Sequence, residues 1–359
     1  MPMPESLKIL VSPLDWGLGH ATRMIPLLRY LSELNHQLFI GVNESTIDFL
    51  QEQFPEAIFL HIPSYHIKFS ESESSFSLLK LIPKIMKAKK EENLWVKNFV
   101  KENPVDFIIS DSRFGFYHLS IPSVIISHQL NLQYPKAYFL LGKFAQMINE
   151  RWLRKFSQVW VPDTQNHFLS GKLSENTSLN TVFIKPQSRL QNSKADNPLG
   201  KEYVLAILSG PEPHRSILEK LLISQASSIE KQLVIIGGKP QDGIRKYELK
   251  NVLYYNHLQD TEMTAYIQNA SLIISRSGYS SIMDYYTLAC KSLFLIPTPG
   301  QTEQIYLAQR MKDMERCDFE HQGQFNLAKV STSSSKWTGF LNNKESIFPI
   351  SELIENLIS

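Results

Sequence analysis

The chain has 359 residues, with 37 Lys and Arg against 35 Asp and Glu, and 43% of it is hydrophobic. Its length exceeds the roughly 250–300 residues that one hydrophobic core usually serves, which predicts two domains. The near balance of charge disfavours a nucleic-acid partner, because nucleic-acid binders carry a clustered basic excess. The two cysteines, Cys290 and Cys317, show neither disulfide-framework nor zinc-site spacing.

The first residues lack the basic and apolar regions of a signal peptide. No later run approaches the ~18 apolar residues that a membrane-spanning helix needs. Together these features predict a cytoplasmic protein.

The first half alternates short β-branched runs with amphipathic stretches, which is typical of βαβ units around a parallel sheet. We therefore expect an N-terminal Rossmann-like domain over residues 1–188. The apolar runs cover residues 9–12, 38–42, 57–62, 107–110, 123–127 and 159–162.

A polar segment, residues 189–201, interrupts this alternation and is interpreted as an interdomain linker. The strand pattern then resumes, which predicts a second doubly wound domain over residues 202–340 and a C-terminal helix within 341–359. The second set of runs covers residues 203–208, 232–236, 252–255, 272–275 and 292–297.

Three glycine-containing turns each close a predicted strand and open a predicted helix. Gly17 and Gly19 lie in the first half, and Gly210 and Gly278 lie in the second. In open α/β sheets, ligands bind beyond the carboxyl ends of the strands, where helix N-termini offer free N–H groups. A diphosphate suits such a turn, although a glycine after a strand more often serves only the turn itself.

His20, at the tip of the first turn, is the candidate general base, since an imidazole can accept a proton from a hydroxyl or water near neutral pH. The N-terminus of a helix lowers the pKa of a histidine and keeps it neutral, as a base must be. Asp15 is a second candidate, either as a base or as the partner that orients His20. The competing interpretation is a structural histidine that satisfies loop backbone.

Two polar segments follow apolar runs in the first half and are expected to line the same crevice. Asp111 and Arg113 belong to the first of them, and His128 and Gln129 belong to the second. Asp111 either pairs with Arg113 or contacts a sugar, and the sequence leaves both open.

In the second half, Asp284 follows Gly278 within a predicted helix. Its carboxylate either reaches paired ribose hydroxyls or only favours the helix dipole. Arg276 is a candidate to neutralise a diphosphate, while Glu303 and Gln304 either face sugar hydroxyls or begin a solvated helix. With no Asp-x-Asp pair and no P-loop in the sequence, we expect neither a metal site nor any cofactor.

The segment of residues 76–101 is basic and amphipathic, with seven lysines among apolar residues. Such a pattern can lie on an anionic bilayer, so the protein is expected either to sit peripherally on the inner face of the membrane or to pack this segment in its core with solvated lysines. Pro83 interrupts the segment.

These motifs, in this order, resemble MurG-like glycosyltransferases of family 28, which have the GT-B fold. Within that family, the first turn is similar to a subgroup of putative bacterial glycosyltransferases with a GLGHATR turn. The resemblance rests on Gly17-Leu18-Gly19-His20, on Arg276-Ser277-Gly278 with Ser281 and Asp284, and on Pro297 followed by Glu303-Gln304.

The resemblance implies an α/β protein of two doubly wound Rossmann-like domains facing a central cleft, with the first domain on the acceptor side. It also implies roles in donor binding for a set of second-half residues. By the family pattern, Ser209 and Gly210 face phosphate, Leu258 holds the uracil edge, and Ser277, Gly278, Ser280 and Ser281 belong to the helix that cradles the diphosphate. Asp284 binds ribose, and Glu303 and Gln304 contact the donor sugar.

The expected activity is that of an inverting, metal-independent hexosyltransferase. It would move a sugar, such as an N-acetylhexosamine, from a UDP-sugar to a hydroxyl acceptor in an envelope lipid or polysaccharide. Two alternatives remain open at the level of sequence. One is a nucleotide-sugar hydrolase or epimerase on the same fold, and the other is a non-catalytic nucleotide-sugar-binding protein.

Overall fold

A computed structural model describes residues 6–15, 18–64, 75–134, 138–175, 178–190, 195–239, 245–333, 337–340 and 350–358. The chain divides into two compact units. The first comprises the described residues up to Gln187 together with the C-terminal helix, and the second spans Ser188–Lys344. The division lies one residue from the predicted end of the first domain.

The first unit is built on parallel strands joined by helices. Its elements are β1 (Lys8–Pro13), α1 (Leu18–Glu33), β2 (Gln37–Val42), α2 (Glu44–Gln51), β3 (Ile58–His61), α3 (Ser75–Glu102), β4 (Phe107–Asp111), β5 (Ser123–Ile126), α4 (Phe139–Leu153), β6 (Gln158–Val161) and β7 (Thr181–Phe183).

The second unit repeats this plan. Its elements are β8 (Tyr203–Ile207), α5 (His214–Gln225), β9 (Gln232–Ile236), β10 (Lys246–Leu249), β11 (Val252–Tyr255), α6 (Asp260–Asn269), β12 (Leu272–Ser275), α7 (Tyr279–Thr287), β13 (Leu293–Leu295), α8 (Thr302–Asp313), β14 (Asp318–Phe319) and α9 (Leu327–Ser333). The last helix of the chain, α10 (Ile350–Ile358), follows.

Each unit holds one seven-stranded sheet, with the order β3-β2-β1-β4-β5-β6-β7 in the first and β10-β11-β9-β8-β12-β13-β14 in the second. All neighbours pair in parallel except β10 and β11. In the first sheet, successive strands are added outward from β1 to β3 on one side and from β4 to β7 on the other, so the direction of winding reverses between β1 and β4. In the second sheet, the direction of winding reverses between β8 and β12. In doubly wound sheets, these reversal points are where ligands bind.

The strands form where the sequence is continuously apolar because both faces of a parallel sheet are covered by helices. Ile9, Phe107 and Val124 are fully buried in the core of the first sheet, and Val204 and Ile274 are buried in the core of the second. This burial explains why the sequence pattern located the inner strands.

The C-terminal helix α10 packs on the first unit. Leu353 and Ile354 join the core that covers β1 and α1, and Tyr30 Oη donates a hydrogen bond to Ser351 Oγ at 3.0 Å. The apolar spacing within 350–358 predicted a helix, while the surface that it covers depends on the tertiary structure.

The basic segment forms part of the long helix α3, which continues through Pro83. The expected interruption at Pro83 is therefore wrong. One lost backbone hydrogen bond is outweighed where an apolar face packs against a core, and Val96 and Phe99 of α3 contribute such a face. No helix among the described residues has the length and apolar character needed to cross a membrane.

Candidate functional site

The first candidate site lies where the strand order of the first sheet reverses. β1 and β4 are neighbours, and Pro13 is in register with Asp111 at their carboxyl ends. Helix α1 begins at Leu18 and carries His20 in its first turn. His20 and Asp111 are far apart in sequence, and the topology brings them to the same edge.

His20 and Asp111 form a hydrogen-bonded dyad. His20 Nδ1 lies 3.0 Å from Asp111 Oδ2, and the carboxyl group is fully buried. Arg23, one helical turn after His20, donates its Nε to the same oxygen at 3.0 Å and its Nη2 to Asp111 Oδ1. The same Nη2 also donates to Ser112 Oγ at 3.1 Å. The carboxylate therefore accepts from an imidazole and from the Nε and one terminal nitrogen of a guanidinium.

Burial together with the Arg23 charge keeps His20 neutral, while the neighbouring charges keep Asp111 ionised. Burial lowers the pKa of His20 below its usual 6.5, and the Arg23 charge lowers it further, while Asp111 acts in the opposite direction. Burial alone would raise the pKa of Asp111, but the charges of Arg23 and His20 outweigh it and hold that pKa at about 2. Near neutral pH the dyad is thus an uncharged imidazole beside a carboxylate.

This arrangement leaves one ring nitrogen of His20 able to take up a proton. An ionised carboxylate can only accept hydrogen bonds, so Nδ1 carries the ring proton and Nε2 has the free lone pair. The His20 side chain is 21% exposed, in contrast to its buried partner. A partly exposed imidazole fixed in one tautomer, with its Nε2 lone pair unprotonated, can act as a general base.

The partner of His20 is therefore Asp111, and the expectation that Asp15 orients His20 is corrected. Asp15 accepts a hydrogen bond from Ser64 Oγ and lies 3.8 Å from Arg113 Nη1. From sequence, Asp111 is expected only to pair with Arg113 or to contact a sugar, because its proximity to His20 depends on β4 lying beside β1.

Arg113 is likewise not the partner of Asp111. It is fully buried and donates its Nε to Glu92 Oε1 at 2.5 Å, while its other nitrogens bond the carbonyl oxygens of Pro13 and Pro63. Its guanidinium thus braces the loops beside the dyad and does not line an open crevice. Glu92, which lies in a run of Lys and Glu residues, carried no sequence signal for this role.

The remaining first-half candidates are His128, Gln129, Gly17 and Gly19. His128 is buried, and its charge contributes to lowering the pKa of His20, which places it nearby. Gln129 is held by its backbone, with its N–H donating to Ser127 Oγ and its carbonyl accepting from Asn149. Gly19 lies in the first turn of α1, while Gly17 falls outside the described residues.

The second candidate site is the matching edge of the second sheet, where three loops meet beyond β8, β12 and β13. Gly210 has a left-handed φ of 93°, and a Cβ on it would lie 3.6 Å from Thr298 Oγ1. A Cβ on Gly278, the N-cap of α7, would meet only Ser281 Oγ at 4.0 Å, so the space beside this residue is open. The first amides of α7 have no helical acceptors and suit an anion.

Three buried polar atoms at this edge, Thr298 Oγ1, His214 Nδ1 and Arg276 Nε, have no hydrogen-bond partner within the described part of the chain. Buried polar groups are nearly always paired, so a water or a ligand oxygen is expected at such atoms. Ser209, Ser280 and Ser281 are partly accessible around the same loops, whereas Leu258, after β11, is buried.

Arg276 braces this edge through its terminal nitrogens, and its expected contact with a diphosphate stays a prediction that depends on its Nε. It is 1% exposed, and burial lowers its pKa to about 10. Its Nη1 donates to the carbonyls of Ile296 and Pro297, and its Nη2 donates to the His214 carbonyl and to Gln322 Oε1. One guanidinium thereby ties together the loops that follow β8, β12 and β13.

Ser277 and Gln304 also use their side chains within the protein. Ser277 Oγ donates to the Gln304 carbonyl at 2.8 Å, and Gln304 Oε1 accepts from the Thr298 N–H at 2.8 Å. Gln304 Nε2 donates to Gln301 Oε1. To contact a donor directly, Ser277 and Gln304 would have to replace these internal hydrogen bonds with bonds to the donor. The neighbouring Glu303 is partly exposed at the start of α8.

Asp284, the proposed ribose-binding residue, is partly exposed on α7 and accepts a hydrogen bond from Ser188 Oγ at 2.5 Å. Burial raises its pKa to about 6, although the Ser188 bond and the Arg189 charge act in the opposite direction. Arg189 itself pairs with Asp260 of α6. Ser188, the last residue of the predicted first domain, is thus bonded to α7, and Arg189, the first residue of the predicted linker, is bonded to α6 of the same unit.

The described residues contain no group of three or more His, Cys, Asp or Glu side chains that could hold a metal ion. Metal independence stays a prediction, to be tested in solution.

Comparisons with known proteins point to glycosyl transfer. Residues 204–329 match the model of the glycosyltransferase family 28 C-terminal domain. An "uncharacterized glycosyltransferase" of Methanosarcina mazei is 23% identical over 321 residues, which is 83% of this chain and 81% of that protein. The coarse activity, glycosyl transfer, is supported on these grounds.

Solved structures confirm the predicted GT-B fold. The glycotransferase of kitacinnamycin aligns with a TM-score of 0.68 at 15% identity, covering 99% of this chain and 95% of that one. MurG of Acinetobacter baumannii aligns with a TM-score of 0.58 at 13% identity, covering 98% and 99%. The spinosyn rhamnosyltransferase SpnG, solved with thymidine diphosphate, aligns at 0.60 and 11% identity, covering 92% and 90%.

Proposed function

We propose that this protein is an inverting, metal-independent hexosyltransferase. It moves a sugar, such as an N-acetylhexosamine, from a UDP-sugar to a hydroxyl group of an envelope lipid or polysaccharide. The His20–Asp111 dyad at the reversal point of the first sheet carries the proposal, because a neutral, oriented imidazole is what deprotonation of a hydroxyl requires.

The proposed reaction is a single displacement. The acceptor oxygen attacks the anomeric carbon of the donor sugar as its proton passes to His20 Nε2. The bond from that carbon to the β-phosphate oxygen breaks, and UDP departs with the electron pair. Attack opposite the leaving group inverts the anomeric configuration. Asp111 stabilises the imidazolium that forms, and Arg23 keeps Asp111 in place.

In this proposal, the second unit stabilises the negative charge of the departing diphosphate. Support for this assignment comes from the N-terminus of α7 behind Gly278, from the Gly210 turn and from the unpaired Thr298 hydroxyl beside it. Helix N-termini and backbone amides stabilise phosphate without a metal ion. SpnG is solved with a nucleoside diphosphate, which agrees with a nucleotide-sugar donor; uridine as the nucleoside is part of the proposal.

His20→Ala tests the assignment. We expect turnover to fall about 10²- to 10⁴-fold, the usual effect of losing a general base, while calorimetry shows UDP binding unchanged. His118→Ala is the matched control, because His118 is a partly exposed histidine that precedes β5, at the opposite edge of the same sheet. Wild-type turnover in His20→Ala would refute the role of the dyad.

Product analysis separates the alternatives. NMR of the product anomer should show inversion, and transfer should require an acceptor. Release of free sugar at the same rate without an acceptor would identify a hydrolase, in which the same base activates water. UDP-sugar binding with no turnover on a panel of donors and acceptors would identify a binding protein.

A further inference from the structure

The second sheet has an exposed edge strand. Among the described residues, β10 is the outermost strand of this sheet and pairs only with β11, in antiparallel register. All four of its residues are exposed, and they include two apolar side chains, Tyr247 at 44% exposure and Leu249 at 50%. An uncovered edge presents unpaired N–H and C=O groups, so it can take up another strand.

The ladder between β10 and β11 fixes which main-chain groups of β10 point outward. The Asn256 N–H donates to the Arg245 carbonyl at 3.1 Å, so Arg245 belongs to a hydrogen-bonded pair. Such pairs alternate with non-hydrogen-bonded pairs along an antiparallel ladder. Tyr247, two residues on, therefore also bonds β11, whereas the N–H and C=O groups of Lys246 and Glu248 point away from the sheet.

The two residues with outward main-chain groups carry opposite charges. Two copies of β10 could pair antiparallel about a two-fold axis by placing either residue opposite its own copy. Lys246 would then face Lys246, or Glu248 would face Glu248, and like charges directly opposite each other destabilise a ladder. A third register places Lys246 of each copy opposite Glu248 of the other. The strand is thus complementary to itself in that register alone.

The same register brings Tyr247 of both copies together at the two-fold axis. They form a non-hydrogen-bonded pair, in which the Cα atoms approach to about 4.5 Å. Within each copy, the Tyr247 ring stacks on Tyr254, with ring centres 4.6 Å apart and an angle of 16° between the planes. Pairing would therefore align four tyrosine rings on one face of the joined sheet, and aromatic cross-strand pairs stabilise antiparallel ladders.

We infer that β10 is a dimerisation edge, through which two copies of the chain join their second sheets about a two-fold axis. A symmetric interface needs a patch that is complementary to itself, and β10 meets this requirement in its main-chain groups, its charges and its tyrosine. A lysine on an edge strand can also serve to prevent pairing. Glu248, placed to neutralise Lys246 across the axis, favours pairing instead. The inference is independent of the proposed glycosyl transfer, because β10 belongs to neither candidate site.

Charge reversal tests the register. Analytical ultracentrifugation of the full-length protein should show a dimer in the wild type. Its dissociation constant should rise by about tenfold or more in Lys246→Glu and in Glu248→Lys, because each substitution puts like charges into both cross-strand pairs. The double variant restores both attractions and should recover the wild-type constant. Lys101→Glu reverses an exposed lysine of the first unit and, as the matched control, should dimerise like the wild type.

Disulfide cross-linking tests the geometry. Tyr247→Cys should give a covalent dimer under mild oxidation, because its paired Cα atoms would lie within the roughly 4.4–6.8 Å that a disulfide spans. Leu249→Cys is equally exposed, but its two copies would lie about 13 Å apart at about 3.3 Å per residue, so it should stay unlinked. The native Cys290 and Cys317 are buried and do not compete.

The outcomes separate this edge from other surfaces. All variants should keep the wild-type melting temperature, since the substituted side chains are exposed. A wild type that stays monomeric throughout the micromolar range would overturn the inference. A dimer that survives both single charge reversals and gives no Tyr247→Cys cross-link forms through another surface, which also overturns it. None of these measurements involves turnover or UDP, so their failure is distinct from failure of the proposed activity.

Discussion

Asp111→Asn is the sharpest test of the first site, because it removes one negative charge while it keeps the shape of the side chain. In the wild type, Asp111 accepts from His20 and from two nitrogens of Arg23. The neutral amide would leave the Arg23 guanidinium, which is only 3% exposed, without its counter-ion. Both stability and catalysis should therefore change.

The loss of stability can be worked from the Asp111 pKa. A shift from 3.8 to about 2 corresponds to about 2–3 kcal/mol of stabilisation by the ionised carboxylate. Because a buried positive charge is also left unpaired, we expect the free energy of unfolding at pH 7 to fall by about 3–5 kcal/mol. The folded-state pKa is lowered, so this stabilisation is complete above about pH 4 and is lost as the pH falls towards 2. The wild type should lose stability over that interval, and the variant should lack this component.

The catalytic effect follows from the His20 pKa. The Asp111 charge raises this pKa, while burial and Arg23 lower it. The active form of a base is unprotonated, so the acidic limb of kcat/KM lies below pH 6.5 in the wild type. Asp111→Asn should move that limb to still lower pH. It should also reduce kcat about 10²- to 10⁴-fold, because the amide no longer fixes the tautomer or stabilises the imidazolium.

Urea unfolding at several pH values and a pH–rate profile measure both effects. Asp48→Asn, an exposed aspartate on α2, is the control and should resemble the wild type in each. An unchanged acidic limb together with an unchanged kcat would refute the proposed dyad, even if stability fell as expected.

Four further predictions concern the second unit and the chemistry. The raised pKa of Asp284 means that its charge destabilises the folded state above about pH 6, so Asp284→Asn should increase the free energy of unfolding at pH 8 by about 2 kcal/mol and leave it unchanged at pH 4. Asp284→Ala should abolish discrimination between UDP and its 2′-deoxy analogue in calorimetry, and retained discrimination would place the ribose elsewhere. Arg276→Met leaves several buried oxygens without a donor and should cost about 3–5 kcal/mol and weaken UDP binding; equal affinity in the folded variant would show that the loops need no brace. Turnover should persist in excess chelator, and a strict need for magnesium or manganese would reject phosphate stabilisation by helix N-termini alone.

The sequence by itself determined the two-unit α/β architecture. Inner strands of parallel sheets are buried on both faces, so they appear as continuous apolar runs that are visible in a short stretch of sequence. The strands that were missed lie at or near sheet edges. All four residues of β10 are exposed, and β7 and β14 are only three and two residues long, so they lack that apolar signal.

Only the tertiary structure decided which charged groups meet. His20 was recognisable from its glycine turn, but its partner Asp111 lies 91 residues away and reaches it only because β4 pairs with β1. Arg276 stood in a ligand-binding motif, yet burial and four oxygen acceptors make it a brace. Local sequence encodes propensity and periodicity, whereas the pairing of buried charges depends on neighbours that the fold brings together from distant parts of the chain.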